Sequence, residues 1–138
     1  MKAVVMHEFG GPEVLRYEDF PTPVPGPGEV LVEVHAVSVN RELDLVVRAG
    51  QYSAPVKLPH ILGVDPSGVI AAVGEGVTER QVGDRVVTLP WRAKPVGPLD
   101  AVGMQHLGGY SEFVNLPPSP TIFSPEGLDF AEATICTR

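Results

Sequence analysis

Few residues in this chain could do covalent or metal chemistry, and their spacing does not gather them. The four histidines, His7, His35, His60 and His106, are scattered. His7 and His35 fall in strand-like stretches of different phase and His60 and His106 in loop-like ones, which reads as surface or hydrogen-bonded residues rather than ligands. Cys136 is the single cysteine, so it closes no intramolecular disulfide and builds no structural zinc site without three other ligands close by. There is no Gly-x-Ser-x-Gly elbow, no P-loop and no His-Glu-x-x-His pair. Gly74-Glu75-Gly76 begins like a dinucleotide fingerprint, but the third glycine is missing and a strand follows where a helix should start, so it reads as a hairpin turn. The remaining polar candidates have local jobs. Asn40 can cap a helix, and Asp44 can pair with Arg48 four residues on. Asp65 can accept backbone N–H groups in its own turn, and Asp84 with Arg85 reads as a turn and an ion pair.

The elements that must position these residues are mostly strands. The chain has 138 residues, 43% of them apolar, enough for one domain with a single core and too few for a second full one. Glycine and proline number 15 each, a share that argues against a helix bundle. Valine outnumbers leucine by 22 to 11, which favours pleated structure. Net charge is −7, leaving no basic field for nucleic acid or an anionic membrane surface. No apolar run reaches the length of a membrane span or a secretory leader, and the lone cysteine fits a reducing compartment, so a soluble cytoplasmic protein is expected.

Along the chain, 2–6 and 14–18 read as a hairpin around Gly10-Gly11-Pro12. Pro21, Pro23, Pro25 and Pro27 then form an extended connector. Residues 29–40 are the longest strand candidate. Val30, Val32, Val34 and Ala36 share one face before Val37 and Val39 continue in the opposite phase, which predicts a bulge. A helix is expected over 41–49, capped by Asn40, carrying an apolar stripe of Leu43, Val46 and Val47, and stopped by Gly50. Strands follow at 68–73, 84–89, 109–116 and 121–123, with 90–108 expected as a long surface lobe. Asp129 and Glu132 have capping-box spacing ahead of a last short helix. Many short strands, glycine turns and no β-α-β alternation predict a mainly β fold, a partly open antiparallel barrel with one or two short helices.

Several stretches together resemble one family. They are Met1-Lys2-Ala3-Val4-Val5, Gly10-Gly11-Pro12-Glu13-Val14-Leu15, Pro25-Gly26-Pro27-Gly28-Glu29-Val30-Leu31-Val32, Ser38-Val39-Asn40 leading to Asp44, and Arg48-Ala49-Gly50-Gln51-Tyr52. After these come Pro59-His60-Ile61-Leu62-Gly63-Val64-Asp65, Gly68-Val69-Ile70, Val73-Gly74-Glu75-Gly76-Val77, Gly83-Asp84-Arg85-Val86 and Gly108-Gly109-Tyr110-Ser111-Glu112-Phe113-Val114. In this set the chain resembles, from end to end, the N-terminal GroES-like catalytic domain of the medium-chain dehydrogenase/reductase superfamily, most closely its zinc-independent quinone oxidoreductase-like branch.

The resemblance implies residues 1–124 as a GroES-like substrate-side domain and 125–138 as the start of a helix leading toward a Rossmann domain that this sequence does not contain. It implies NADP(H) in the full-length enzyme and hydride transfer to a small acceptor, a quinone, enone or aldehyde, with a homodimer as an open possibility. The isolated chain is then expected to be inactive. In the family's zinc enzymes a cysteine stands three residues before the aspartate matching Asp44, and a glycine-histidine-glutamate triplet matches Gly63-Val64-Asp65. Here Arg41 and Val64 take the ligand places, so no zinc is expected. Asn40 and Tyr52 are implied as cleft residues facing nicotinamide and substrate. Because Asn40 lies four residues before Asp44 where the family has three, Arg41 is a further candidate. The alternatives are a stand-alone GroES-like binding or assembly module without catalysis, and a zinc-type alcohol dehydrogenase domain. Which acceptor is used, and whether NADPH or NADH is preferred, lies outside what this sequence encodes.

Overall fold

A computed structural model describes residues 1–89, 91–92, 100–118 and 121–136. Strands β1 (Lys2–Met6) and β2 (Leu15–Asp19) form the expected hairpin, closed by a 3-10 turn at Pro12–Val14. β3 (Val30–Ala36), helix α1 (Leu43–Arg48), β4 (His60–Ile61), β5 (Ser67–Val73) and β6 (Arg85–Thr88) follow. The rest comprises β7 (Trp91–Arg92), β8 (Asp100–Ala101), β9 (Phe113–Leu116), β10 (Thr121–Phe123) and α2 (Phe130–Ile135).

The strands make a three-stranded sheet, β2-β1-β4, a five-stranded sheet, β10-β6-β5-β3-β9, and the small β7-β8 pair. Every pairing between them is antiparallel. The segment after Gly109 joins the two larger sheets. Val4 donates its N–H to the Tyr110 carbonyl and Val34 donates to that of Glu112, both at 2.8 Å. The result is the expected mainly β, GroES-like barrel, left partly open, with two short helices.

β3 shows why valine alternation matters here. Val30 and Val32 are fully buried against Ile70, Val86, Val114 and Leu116, and each side chain so buried is worth about 1.5–3 kcal/mol. The expected bulge is present but lies earlier than the sequence phase implies, as register shifts at Leu31/Val32 and Val34/Ala36 against β5. The strand also ends at Ala36 rather than Asn40. The Ser38 N–H and hydroxyl are taken by Asp65, at 3.1 and 2.7 Å, which removes that segment from the ladder. Asp65 thus accepts a backbone N–H from across the fold.

The expected surface lobe at 90–108 is corrected over its second half, while residues 90 and 93–99 lie outside the described ones. Ala101, Val102 and Met104 are 0–2% exposed. Ala101 and Met104 enter the cluster around Val47 and Val64, and Val102 enters the β-sheet core. His60, expected in a loop, lies in β4 and is buried, and its Nε2 donates to the Gly103 carbonyl at 2.9 Å. It is a hydrogen-bonded histidine as expected, and burial lowers its pKa. Arg85 donates to the Leu128 carbonyl and covers the Phe130 ring, a different engagement from the ion pair with Asp84.

Candidate functional site

α1 is the element around which the candidate residues gather. It is shorter than expected, 43–48 instead of 41–49, with Glu42 at its N-cap position, and Asn40 caps the turn that leads into it. Its side-chain carbonyl accepts the N–H groups of Glu42 at 3.1 Å and Leu43 at 3.0 Å, satisfying two donors that a helix start leaves open. That use fixes the side chain's orientation chemically: the oxygen is committed to the helix, and the amide nitrogen is the end left to donate.

Asp44 does not pair with Arg48. It is 4% exposed and faces inward on the same side of the helix as Val47. Its Oδ2 accepts the Tyr110 hydroxyl at 2.6 Å and the Asn40 N–H at 2.8 Å, and its Oδ1 accepts the Gly63 N–H at 3.3 Å. Burial pushes its pKa up from the ordinary aspartate value. The Tyr110 hydroxyl and the Asn40 and Gly63 N–H groups pull the other way, and the nearby Asp65 charge adds to the rise. Arg48 turns instead to the loop before the 3-10 turn. Its Nε donates to the Gly10 carbonyl at 3.2 Å while the Gly10 N–H donates back to the Arg48 carbonyl at 2.9 Å.

That loop carries Phe9 to the rim of a pocket of ≈ 300 Å³, also lined by Val47, Gly50, Tyr52, Ser53 and Val56. Gly50, at φ 71°, ends α1, and a Cβ there would lie 2.9 Å from the Phe9 ring. Tyr52 is half-buried against the cluster of Met6, Val47, Leu62, Val64 and Met104. The pocket is not lined by Asn40 or Arg41. They precede α1 and Tyr52 follows it, and six helical residues span about 9 Å. The structure therefore places the three predicted residues at the two ends of one helix. Arg41 is exposed and Asn40 half-exposed.

Gly63 sits beneath this arrangement at φ +100°, and a Cβ on it would meet Tyr110 Cδ1 at 2.8 Å and the Tyr110 nitrogen at 2.9 Å. No L side chain fits there, so backbone packs against ring and the Gly63 N–H reaches Asp44. Asp44, Tyr110 and Phe9 are the residues that sequence reasoning missed. Asp44 offered one available sign, since it is spaced three before the stripe residue Val47.

A metal finds few donors near α1. Val64, in the place of the zinc enzymes' histidine, is 1% exposed within the apolar cluster, and Arg41 is a cation. Among the described residues no three of His, Cys, Asp and Glu group so as to hold a metal ion. Among them, too, no helix is long and apolar enough to cross a membrane.

A bulged antiparallel barrel with a short helix beside a pocket defines the class, a GroES-like domain. The sequence profile of the alcohol dehydrogenase GroES-like domain matches residues 26–126. Quinone oxidoreductase of Rattus norvegicus is 37% identical over 133 residues, which is 96% of this chain and 36% of that protein. Among solved structures, one described as an NAD-dependent alcohol dehydrogenase superposes with a TM-score of 0.90 at 40% identity, covering 97% of this chain and 42% of that one. Escherichia coli quinone oxidoreductase complexed with NADPH superposes with a TM-score of 0.79 at 30% identity, covering 97% and 36%. This chain belongs to the alcohol dehydrogenase GroES-like domain family, the N-terminal catalytic domain of medium-chain dehydrogenases/reductases, and spans little more than a third of the length of the rat relative.

Proposed function

We propose that this chain is the substrate-side domain, residues 1–124, of a cytoplasmic, zinc-independent, NADPH-dependent oxidoreductase that reduces quinones or activated alkenes. Residues 125–138 then lead toward a separate nucleotide-binding domain, and the isolated chain is inactive. The observation that carries this reading is the commitment of the Asn40 side-chain oxygen to two helix N–H groups. With its oxygen held, Asn40 is a pure donor, the polarity that a carbonyl or quinone oxygen needs as negative charge develops on it. Tyr52 adds a hydroxyl at a pocket whose lining mixes polar and apolar groups, with Phe9, Val47 and Val56 supplying the apolar part. The donor set fits one edge of NADP(H): Arg41 offers a cation to phosphate or ribose, and Asn40 and Tyr52 offer N–H and O–H groups to the nicotinamide side. When bound, NADPH supplies the hydride, while this chain orients the acceptor and excludes water from the apolar side. The donor set does not fit zinc, because Val64 is an apolar core residue and Arg41 a cation.

The test joins the chain in frame to a quinone oxidoreductase nucleotide-binding domain and follows NADPH oxidation with a quinone. Asn40→Asp keeps the capping oxygen but removes the donor and places an anion beside the growing charge. It is expected to lower kcat/KM by about a hundredfold, the scale of one lost oxyanion donor, with an unchanged circular dichroism spectrum. Tyr52→Phe should lower it less. Kinetics equal to wild type in both variants would remove these residues from the site, and one tightly held zinc per chain by metal analysis would overturn the zinc-free reading.

A further inference from the structure

Asp44 is chemically out of place as a helix residue. A carboxylate on the solvent side of α1 would serve the helix dipole as well, without the cost of burial. Instead it is buried and collects donors from three chain segments: the Asn40 N–H from the turn entering α1, the Gly63 N–H from the turn after β4, and the Tyr110 hydroxyl. None of the three lines the pocket, but two of these segments meet its residues in one apolar cluster. Leu62 and Val64, on either side of Gly63, pack in the same cluster as Tyr52 and Val56, and the Tyr110 ring joins it. The segment carrying Tyr110, ahead of β9, is itself locked to the Gly63 turn, with the Tyr110 N–H on the Leu62 carbonyl at 2.9 Å and the Gly109 N–H on the Gly63 carbonyl at 2.8 Å. The Asp44 carboxylate is therefore the link through which the barrel fixes the turn bearing Asn40.

We propose that Tyr110 and Asp44 are positioning residues of the acceptor site, a hydroxyl–carboxylate clamp that sets where Asn40 presents its side-chain N–H. The inference rests on the reading of Asn40 as a carbonyl donor. Neither residue need touch the acceptor. Tyr110 holds Oδ2, Oδ2 holds the Asn40 backbone, and the side chain is then aimed by its own two bonds to the helix start. Loss of the hydroxyl leaves the tyrosine ring packed and removes one bond from the clamp, so Tyr110→Phe separates positioning from folding.

The experiment is nuclear magnetic resonance on the labelled 138-residue chain, comparing wild type with Tyr110→Phe and, as a second variant, Asp44→Asn. In Tyr110→Phe the backbone amides of Asn40 and Gly63 should exchange about tenfold faster, the scale of one charge-assisted hydrogen bond. The Ile70 amide, bonded to the Asp84 carbonyl in the barrel, should be unchanged. The Asn40 side-chain NH₂ signals should move toward those of a free asparagine, and further in Asp44→Asn. Cyclohexanone, a freely soluble and unreactive carbonyl, serves as the probe. It should shift the Asn40 NH₂ signals of the wild-type chain, with a several-fold weaker Kd in Tyr110→Phe. Unchanged Asn40 and Gly63 amides, or faster exchange spread equally to Ile70, would overturn the clamp. Loosened amides with an unchanged Kd would reduce the pair to a structural role and overturn the proposal as well. A wild-type chain whose Asn40 signals ignore cyclohexanone would remove the carbonyl-donor reading itself, and the amide comparison alone would then decide the clamp.

Discussion

The two helices, α1 and α2, are six residues each, and they are held by opposite means. α2 starts with a reciprocal box: Asp129 accepts the Glu132 N–H at 2.7 Å and the Glu132 carboxylate accepts the Asp129 N–H at 3.0 Å. It rests on the barrel surface, where the Ser67 hydroxyl donates to the Phe130 carbonyl and the His35 ring stacks on Phe130. α1 has no such box. Its start depends on Asn40, held in turn by a buried carboxylate whose other partners lie 19 and 66 residues away. A helix stabilised by its own sequence can sit anywhere, whereas one held by distant donors reports on the barrel's geometry, and it is the second kind that stands beside the pocket.

Substitution should separate the two sharply. Asp44→Ala removes the carboxylate that three donors share and is expected to cost about 3 kcal/mol, at about 1 kcal/mol or more for each hydrogen bond lost, measured by urea unfolding. Next come two glycines of similar backbone angle. Gly63→Ala, at φ +100° and 2.8 Å from Tyr110, should cost about 2–3 kcal/mol, near the upper end for strained backbone. Gly127→Ala, at φ +84° with no atom within 4 Å of the new Cβ, should cost only about 1 kcal/mol. Asp129→Ala, which opens the α2 box, should also cost about 1 kcal/mol. Equal losses for Asp44→Ala and Asp129→Ala would erase the distinction between the helices.

The smallest effect is that of pH, and it acts on the α1 side with two opposed signs. His60 has a lowered pKa in the fold, so the unfolded chain takes up its proton first. Stability contributed by neutral His60 is present above the unfolded value near 6.5 and is lost as pH falls below it. Asp44 has a raised pKa, so the folded chain takes up that proton first, and acidification through the raised value restores stability. Tm should therefore begin to fall as pH drops through 6.5, and His60→Gln should flatten that first decline. Asp44→Asn should remove any recovery at lower pH. A wild-type Tm that rises steadily from neutrality downward would contradict the His60 assignment.

How much of this was legible depended on whether the cause was local. The β1–β2 hairpin, β10, the α2 capping box and the helix stop at Gly50 are written in adjacent residues, and the structure has them where the spacing puts them. Asn40 was legible as a cap for the same reason. The i,i+4 spacing of Asp44 and Arg48 misled because it is silent on which face is buried. Only the fold brings Gly63 and Tyr110 to that face, and a carboxylate with three donors is stable where a lone one is not. The Ala101–Met104 stretch misled in the same way. Set among the prolines and glycines of 90–108, its weakly periodic sequence looks like loop, and its burial is decided by the backbone of Gly63, which passes so close to Gly103 that a Cβ there would lie 2.8 Å from the Gly63 carbonyl.

That close crossing lies in the floor of the cluster on which Tyr52 and Val56 pack, through Leu62, Val64 and Met104. Where Gly63 and Gly103 meet, main chain lies on main chain, and any added methyl must displace a backbone. The pocket lining from Ser53 to Val56 is partly solvent-facing and made of ordinary side chains. Efforts to widen, narrow or re-polarise the opening for a different acceptor have room to succeed at 53–56. A library aimed at the two glycines would return mostly misfolded chains.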